Sequence, residues 1–433
     1  MRLKYENGRN MKTVEIGKWH KIELPAGPAI ENSLLLLLTV LYPFHFRLLT
    51  PAGGVNTSYG DAIVAIVVVL FALSLVGRLV VFPYAVWAGV FFGAATLSLV
   101  VNGLFFPIET FNWSNGIAEL VKFAGAVGWM VAVFALLFNN PRSRIRMFAS
   151  MLIVVGVILG LWTTYLTTTG EVRPAGPFRR PNIYGGYLLL CTMLAWYLTN
   201  DLREIGWTRT ARLILWLCVP LLSVFVLVTG SRGAGFGLVV GTIFMINWTS
   251  LHKRPINSLL NGTVIGALAI SGLWLIYRTR SAIIYRFAGL ILDRSDRNLD
   301  RRLENWGGGV EAFLSNPLFG IGYGQYHDFR PMVTSLTTAD IHQTYLGILV
   351  ETGLVGFIIF VGLSYSIITD GIKIMREKHP TVKYAFVIVV ATAAQGVAAD
   401  VDSFRSLWIA LGILAVLVYH HRSESNPQTK IRQ

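Results

Sequence analysis

The stretch PRSRIRMFASMLIVVGVILGLWTTYLTT (residues 141–168) shows the pattern that decides the fold. Three arginines (Arg142, Arg144 and Arg146) come first, and the following run 147–168 carries no charged side chain. An apolar run of about 20 residues is long enough, as a helix, to cross the hydrocarbon core of a bilayer. The stretch therefore predicts a transmembrane helix that begins at a basic membrane surface.

Similar apolar runs recur along the 433 residues, and the overall composition agrees with them. The chain is 54% hydrophobic and 14% charged, whereas soluble domains carry about 25% charged residues. This excludes a soluble globular protein and predicts an all-α polytopic membrane protein with about twelve transmembrane helices. The predicted spans are 31–49, 60–82, 84–104, 117–138, 147–168, 182–200, 212–229, 233–249, 259–277, 342–368, 384–399 and 404–421.

The positions of the lysines and arginines predict the orientation. Most of the 37 basic residues lie in the two tails and in every second loop, and such residues are enriched on the cytoplasmic side. Both termini are therefore expected in the cytoplasm, and the net charge of +14 is attributed to loops beside membrane lipids and not to nucleic-acid binding. The predicted organisation is a cytoplasmic tail 1–30, helices 1–9 in 31–277, a long, partly helical periplasmic loop 278–341, helices 10–12 in 342–421 and a cytoplasmic tail 422–433.

Arginines on the opposite side break this rule. The 5–6 loop holds Arg173, Arg179 and Arg180, and the 7–8 turn holds Arg232. The long loop holds eight arginines, namely Arg278, Arg280, Arg286, Arg294, Arg297, Arg301, Arg302 and Arg330. A guanidinium binds phosphate or carboxylate with two hydrogen bonds from its planar fork. We therefore expect an anionic ligand at the outer face. The alternative that many of these arginines pair with local acids or lipid headgroups stays open.

Two arginines have the strongest local context. Arg232 lies within Thr229-Gly230-Ser231-Arg232-Gly233, a turn too short to clear the membrane, where a charge is costly and usually functional. A helix is predicted at about 299–314, and Arg302 lies at the edge of its apolar stripe, whereas Arg301 is rotated towards water. The stripe consists of Leu303, Trp306, Val310 and Phe313. A flexible turn towards the membrane is predicted after it, at Gly320, Gly322 and Gly324.

His342, at the start of predicted span 10, is the candidate general base, because imidazole titrates near neutral pH. A plain hydrogen-bonding role is the alternative. Glu351 is expected to be an interhelical structural partner. Asp400 and Asp402 lack a third ligand, and the cysteines Cys191 and Cys218 lie inside apolar segments without metal-site spacing, so we expect no metal and no cofactor.

Four stretches in order resemble the O-antigen ligase and polymerase superfamily of membrane glycosyltransferases. They are TGSRG (229–233), RLENW (302–306), NPLFGIGYG (316–324) and HQTYLGILVETG (342–353). The resemblance covers roughly residues 180–365. The first five spans match in hydropathy only.

The resemblance implies a metal-independent, inverting transfer of a glycan from undecaprenyl diphosphate to an acceptor hydroxyl at the periplasmic face of the inner membrane. His342 would take the proton from that hydroxyl, and Arg232 and Arg302 would bind the diphosphate. Supporting contacts are expected from Arg179, Arg180, Asn182 and Arg301.

The resemblance leaves the acceptor open. A ligase transfers the glycan to lipid A-core, whereas a polymerase transfers it to another lipid-linked glycan. The single long external loop and the span count favour the ligase. A transporter of lipid-linked glycans is a third possibility, but it is expected to show internal repeats and broken helices, and the sequence contains no convincing repeat.

Overall fold

The computed structural model describes eleven stretches of the chain. They are residues 27–48, 55–74, 84–105, 110–169, 175–178, 180–205, 208–245, 297–334, 341–376, 380–399 and 404–424. The predicted span 259–277, Arg179, Asp400 and Asp402 lie outside the described residues.

The described part of the chain is mainly helical. Its helices are α1 Gly27–Leu41, α2 Tyr59–Ser74, α3 Ala85–Phe105, α4 Trp113–Leu137, α5 Pro141–Thr168, α6 Pro181–Ile205, α7 Arg209–Val228, α8 Arg232–Met245, α9 Arg297–Ser315, α10 Tyr326–Phe329, α11 Thr344–Arg376, α12 Pro380–Ala394 and α13 Arg405–Glu424. Short 3-10 turns lie at Gly176–Phe178, Arg330–Met332 and Gln395–Val397.

The long apolar helices make this a multi-pass membrane protein. Within the described residues, five helices are long and apolar enough to cross a bilayer: Ala85–Phe105, Trp113–Leu137, Pro141–Thr167, Arg209–Val228 and Thr344–Lys373. Each coincides with a predicted span, and α9 confirms the helix predicted at 299–314. The total of twelve spans and the domain boundaries stay predictions.

A short hairpin adds to this helical fold. Strand β1 (His45–Leu48) pairs antiparallel with β2 (Val55–Ser58), with His45 opposite Ser58. The run predicted as one span at 31–49 ends as a helix at Leu41. Pro43 follows closely, and proline has no N–H with which to continue a helix.

Ion pairs join helix ends that the sequence analysis assigned to the same side. At the predicted cytoplasmic side they join Arg144 to Glu31, Arg146 to Asp201 and Arg422 to Asp370. At the opposite side, Arg405 Nε donates to Asp61 Oδ1 (2.8 Å), which also accepts from Trp129 Nε1 (2.7 Å). These pairs agree with the sides predicted for the ends of six helices, α1, α2, α5, α6, α11 and α13. Which side faces the cytoplasm stays a prediction.

Helix α11, predicted as continuous, is interrupted at Gly353. This glycine has φ 64° and ψ −166°, a backbone conformation that residues with a Cβ rarely adopt. A Cβ there would lie 2.4 Å from the carbonyl oxygen of Leu318. The interruption therefore depends on glycine and on the close approach of a neighbouring loop.

That loop, residues 317–322, takes up the backbone groups that the interrupted helix leaves unpaired. Leu354 N donates to Pro317 O (2.8 Å), and Ile321 N donates to Val350 O (3.0 Å). Polar backbone inside a membrane must be paired within the protein. The glycine turn predicted here exists, with positive φ at Gly320, Gly322 and Gly324. It is buried and hydrogen-bonded, however, and so is not the flexible turn that was predicted.

Candidate functional site

The short stretch that follows helix α12, Gln395 to Ala399, lies where several predicted site elements meet. We call it the 395–399 segment. The Gln395 side chain donates from Nε2 to the carbonyl oxygen of Asn182 (3.0 Å). On another side the segment packs against Gly233, where a Cβ would lie 2.9 Å from the Gln395 carbonyl oxygen. The starts of α6 and α8 therefore both contact this segment.

The same segment holds α9 and α11. Arg302 donates from Nη1 to the carbonyl oxygen of Ala398 (3.3 Å), and Thr344 donates from Oγ1 to that of Ala399 (2.7 Å). Thr344 is the first residue of α11 and lies two positions after His342. Asn182, Arg232, Arg302 and His342 therefore all lie on, or within two residues of, contacts to one short segment.

Arg232 is the first residue of α8, and only three residues separate it from the end of α7. This confirms the very tight turn that the sequence predicted, with Gly230 at φ +63°. Ser231 Oγ accepts from the Ala234 backbone N–H (3.3 Å) and so caps the first turn of α8. The half-buried Arg232 side chain thus begins at a helix N-terminus, where the helix dipole favours anions.

Helix α9 confirms the predicted orientation of its two arginines. Arg302 is half-buried and contacts the 395–399 segment, whereas Arg301 is exposed. The predicted apolar stripe is wrong in part, because Leu303 is 52% and Val310 48% exposed. The buried face of α9 consists of Asn305, Gly308, Gly309 and Ala312.

Glycine explains this difference. A Cβ at Gly309 would lie 3.4 Å from Leu346 and 3.5 Å from Val350 of α11, so Gly309 lies in the contact between the two helices, whereas Gly308 faces Val333 and Thr334. A hydropathy pattern gives no weight to such residues. Trp306, at the edge of this face, donates from Nε1 to the carbonyl oxygen of Ile341 (3.0 Å) and so joins α9 to the residue before His342.

His342 has a strained backbone. Its φ of +50° lies in the left-handed region, which residues with a Cβ occupy rarely and at a cost, most often at functional sites. The neighbouring Gln343 side chain accepts from the Leu346 N–H and so caps α11. The half-buried imidazole is thus held at the start of α11 by anchored residues on both sides.

The predicted supporting residues differ in burial and in contacts. Asn182 is half-buried and takes part through its carbonyl oxygen, whereas Arg180 is exposed beside the start of α6. Glu351, expected to be a structural partner, accepts at Oε1 from the Tyr326 N–H (3.3 Å), and its carbonyl oxygen accepts from Ser98 Oγ (2.6 Å).

Three buried polar residues near these elements were not singled out from the sequence. Gln395 is fully buried inside what reads as an apolar run, and Asn305 is 1% exposed within α9. Arg330 was counted among the external loop arginines, but it is only 2% exposed. The unusual depth of these side chains has no signature in local sequence, because it depends on distant helices.

An apolar cavity of about 420 Å³ begins beside the 395–399 segment and lies among α3, α4, α11, α12 and α13. Its lining includes three hydroxyl-bearing residues, and each hydroxyl donates to a carbonyl oxygen of the protein. Thr344 donates to Ala399 (2.7 Å), Tyr345 to Ala393 (2.8 Å) and Ser364 to Phe360 (3.0 Å). The cavity therefore offers an occupant mainly hydrocarbon contacts.

In the described part of the chain, no group of three His, Cys, Asp or Glu side chains is placed so as to hold a metal ion. Cys191 is a buried free thiol and Cys218 a half-buried one.

Part of the sequence matches a known protein family. Residues 214–361 match the family model described as O-antigen ligase. This segment is about a third of the chain, and over it the chain is similar to O-antigen ligases. A protein from Haemophilus influenzae described only as uncharacterized is 32% identical over 148 residues, which cover 30% of this chain and 36% of that protein. The chain thus spans about a third of the relative that it matches.

The segment that matches the O-antigen ligase family model includes four of the predicted site residues, namely Arg232, Arg301, Arg302 and His342. Asn182 and the 395–399 segment lie outside it. The candidate site is therefore assembled from the matched segment and from residues on both sides of it.

Proposed function

We propose that the protein is a glycosyltransferase of the O-antigen ligase type in the bacterial inner membrane. It moves a glycan from undecaprenyl diphosphate to a hydroxyl of lipid A-core. The observation that carries this proposal is the convergence of the Asn182, Arg232, Arg302 and His342 elements on the 395–399 segment, beside an apolar cavity.

The proposed reaction uses His342 and two arginines. The acceptor hydroxyl oxygen attacks the anomeric carbon of the glycan, and His342 takes the hydroxyl proton. The bond from that carbon to the diphosphate oxygen breaks, the configuration inverts, and undecaprenyl diphosphate leaves. Arg232 and Arg302 stabilise the negative charge that grows on the leaving group. Arg180, Asn182 and Arg301, and Arg179 outside the described residues, give supporting contacts.

The cavity supports a lipid-linked donor. A diphosphate bound between Arg232 and Arg302 would lie near Thr344, which lines the cavity. Because the lining hydroxyls already donate within the protein, an isoprenoid chain fits this space better than a sugar or a chain of water molecules. We therefore place the first isoprene units of the donor in the cavity.

The interrupted helix α11 raises the transport alternative again, because transporters often use broken helices at their binding sites. Here, however, the four backbone groups next to the break that bond to the 317–322 loop are not available to a substrate. They belong to Val350, Glu351, Leu354 and Val355. The arginine contacts lie together at one end of the bundle, which favours chemistry at a membrane surface over passage across it.

The test is glycan transfer by the purified protein in EDTA, from a donor linked to undecaprenyl diphosphate, with and without lipid A-core. A product that requires lipid A-core supports the ligase. A ladder of longer lipid-linked glycans without that acceptor would replace the ligase with a polymerase. Absence of transfer in both arms would contradict the glycosyltransferase proposal.

A further inference from the structure

Gln395 occupies an unusual position in the membrane domain. Its side chain is fully buried, and its Oε1 has no hydrogen-bond partner in the described part of the chain. A buried amide oxygen left without a donor is destabilising, and native proteins keep few of them. An apolar side chain of similar length would fill the same space without this cost. Packing alone therefore does not explain a glutamine here.

Two glycines, Gly186 and Gly233, lie directly against Gln395 and leave space for it. At Gly186 of α6, a Cβ would lie 2.8 Å from Gln395 Oε1. At Gly233 of α8, a Cβ would lie 2.9 Å from its carbonyl oxygen and 3.2 Å from its Cγ. Neither glycine has a positive φ, so backbone conformation does not require glycine at either position. Glycine is required at both positions because Gln395 approaches so closely.

Gln395 and the turn that it begins contact several elements of the candidate site. Its amide donates to Asn182 at the start of α6. The turn that it begins then presents two carbonyl oxygens, those of Ala398 to Arg302 and Ala399 to Thr344. Gln395 thus joins the start of α6 to the backbone that orients a predicted diphosphate-binding arginine and the helix start beside His342.

We propose that Gln395 is a positioning residue for glycan transfer. It fixes the 395–399 segment against α6, so that Arg302 and the start of α11 keep the alignment that the reaction needs. The inference rests on the proposed function. Gln395 acts through Asn182, Ala398 and Ala399 and does not touch the reacting atoms.

The test compares two buried glutamines in the purified full-length protein, with transfer from an undecaprenyl diphosphate-linked glycan to lipid A-core as the readout. Gln325 is the control, because it is also fully buried and both ends of its amide are paired with the backbone of Asn112 (2.8 and 2.9 Å). We expect Gln395→Met to lower kcat about tenfold or more with little change in donor KM, as expected when alignment is lost. Gln325→Met should lower the unfolding temperature and leave kcat within about twofold.

A second variant disturbs the Gln395 side-chain amide without changing Gln395 itself. Gly186→Ala should displace the Gln395 carboxamide and lower kcat, whereas Gly125→Ala, where a Cβ meets nothing within 4 Å, should not. Unchanged kcat in Gln395→Met overturns the inference, as does equal loss of kcat and stability in both glutamine variants. A Gln395→Met protein that does not fold, with normal kcat in Gly186→Ala, also overturns it. Wild-type protein that transfers no glycan contradicts the proposed function and this inference with it.

Discussion

The guanidinium of Arg302 donates to the carbonyl oxygen of Ala398 over 3.3 Å, although the two residues are 96 positions apart in the chain. An arginine presents its five N–H groups in one rigid plane, so a bond to one of them orients the whole fork. The contact therefore restricts the direction in which Arg302 would meet the diphosphate of the proposed donor.

Arg302→Lys should lower transfer about 100-fold or more, because an ammonium cannot reproduce the planar two-bond contact with phosphate. The measurement is kcat/KM for the lipid-linked donor. Arg422→Lys is a suitable control, since Arg422 pairs with Asp370 at the opposite end of the bundle. Near-normal transfer by Arg302→Lys would contradict a bidentate role.

His342→Asn should fold normally but lose about 10²- to 10⁴-fold in kcat, the usual contribution of a general base. Asparagine is chosen because it tolerates the left-handed backbone that His342 adopts, at φ +50°. The loss then reports on the imidazole and not on backbone strain. His327→Asn, at an exposed histidine, should keep its activity. An active His342→Asn protein would exclude His342 as the base.

Ser364→Trp should raise KM about tenfold for a donor with a long isoprenoid chain, because the indole occupies the apolar cavity. A donor analogue with a chain too short to enter the cavity should be used equally well by both proteins. Tyr365→Trp is the matched control, since this neighbour is 68% exposed and lies outside the lining. An equal change in KM for long and short donors would contradict the placement of the lipid chain.

Gly353→Ala should destabilise the fold by about 2 kcal/mol or more, because alanine is strained at positive φ. The Leu318 carbonyl oxygen, 2.4 Å from the new Cβ, must also move. The unfolding temperature in detergent measures the effect. Gly89→Ala in α3, where a Cβ meets nothing within 4 Å, should not lower it. Equal unfolding temperatures in the two variants would mean that the break in α11 does not depend on Gly353.

The sequence predicted the long helices well, since a membrane span needs only an apolar run of sufficient length. It failed where the decisive partner is distant. Gly353 interrupts α11 without changing the hydropathy of its run, and the groups that pair with the break come from residues 317–322.

The candidate site could likewise be predicted only in part. Arg232, Arg302 and His342 could be singled out because they lie at or beside external segments, where the positive-inside rule predicts few basic residues. Gln395 could not be, because its burial and its contact with Asn182, 213 residues earlier, depend on the fold. The buried face of α9 was missed in part because two of its residues are glycines.

The 395–399 segment comes after Arg232, Arg302 and His342 in the chain, and this order has a consequence for biosynthesis. Proteins are made from the amino end, so all three residues leave the ribosome before Ala398, the partner of Arg302, is made. A chain whose translation stops after α12 would contain all three without the backbone that Arg302 and Thr344 contact. The contact between Arg302 and Ala398 therefore forms only after α12 has been made.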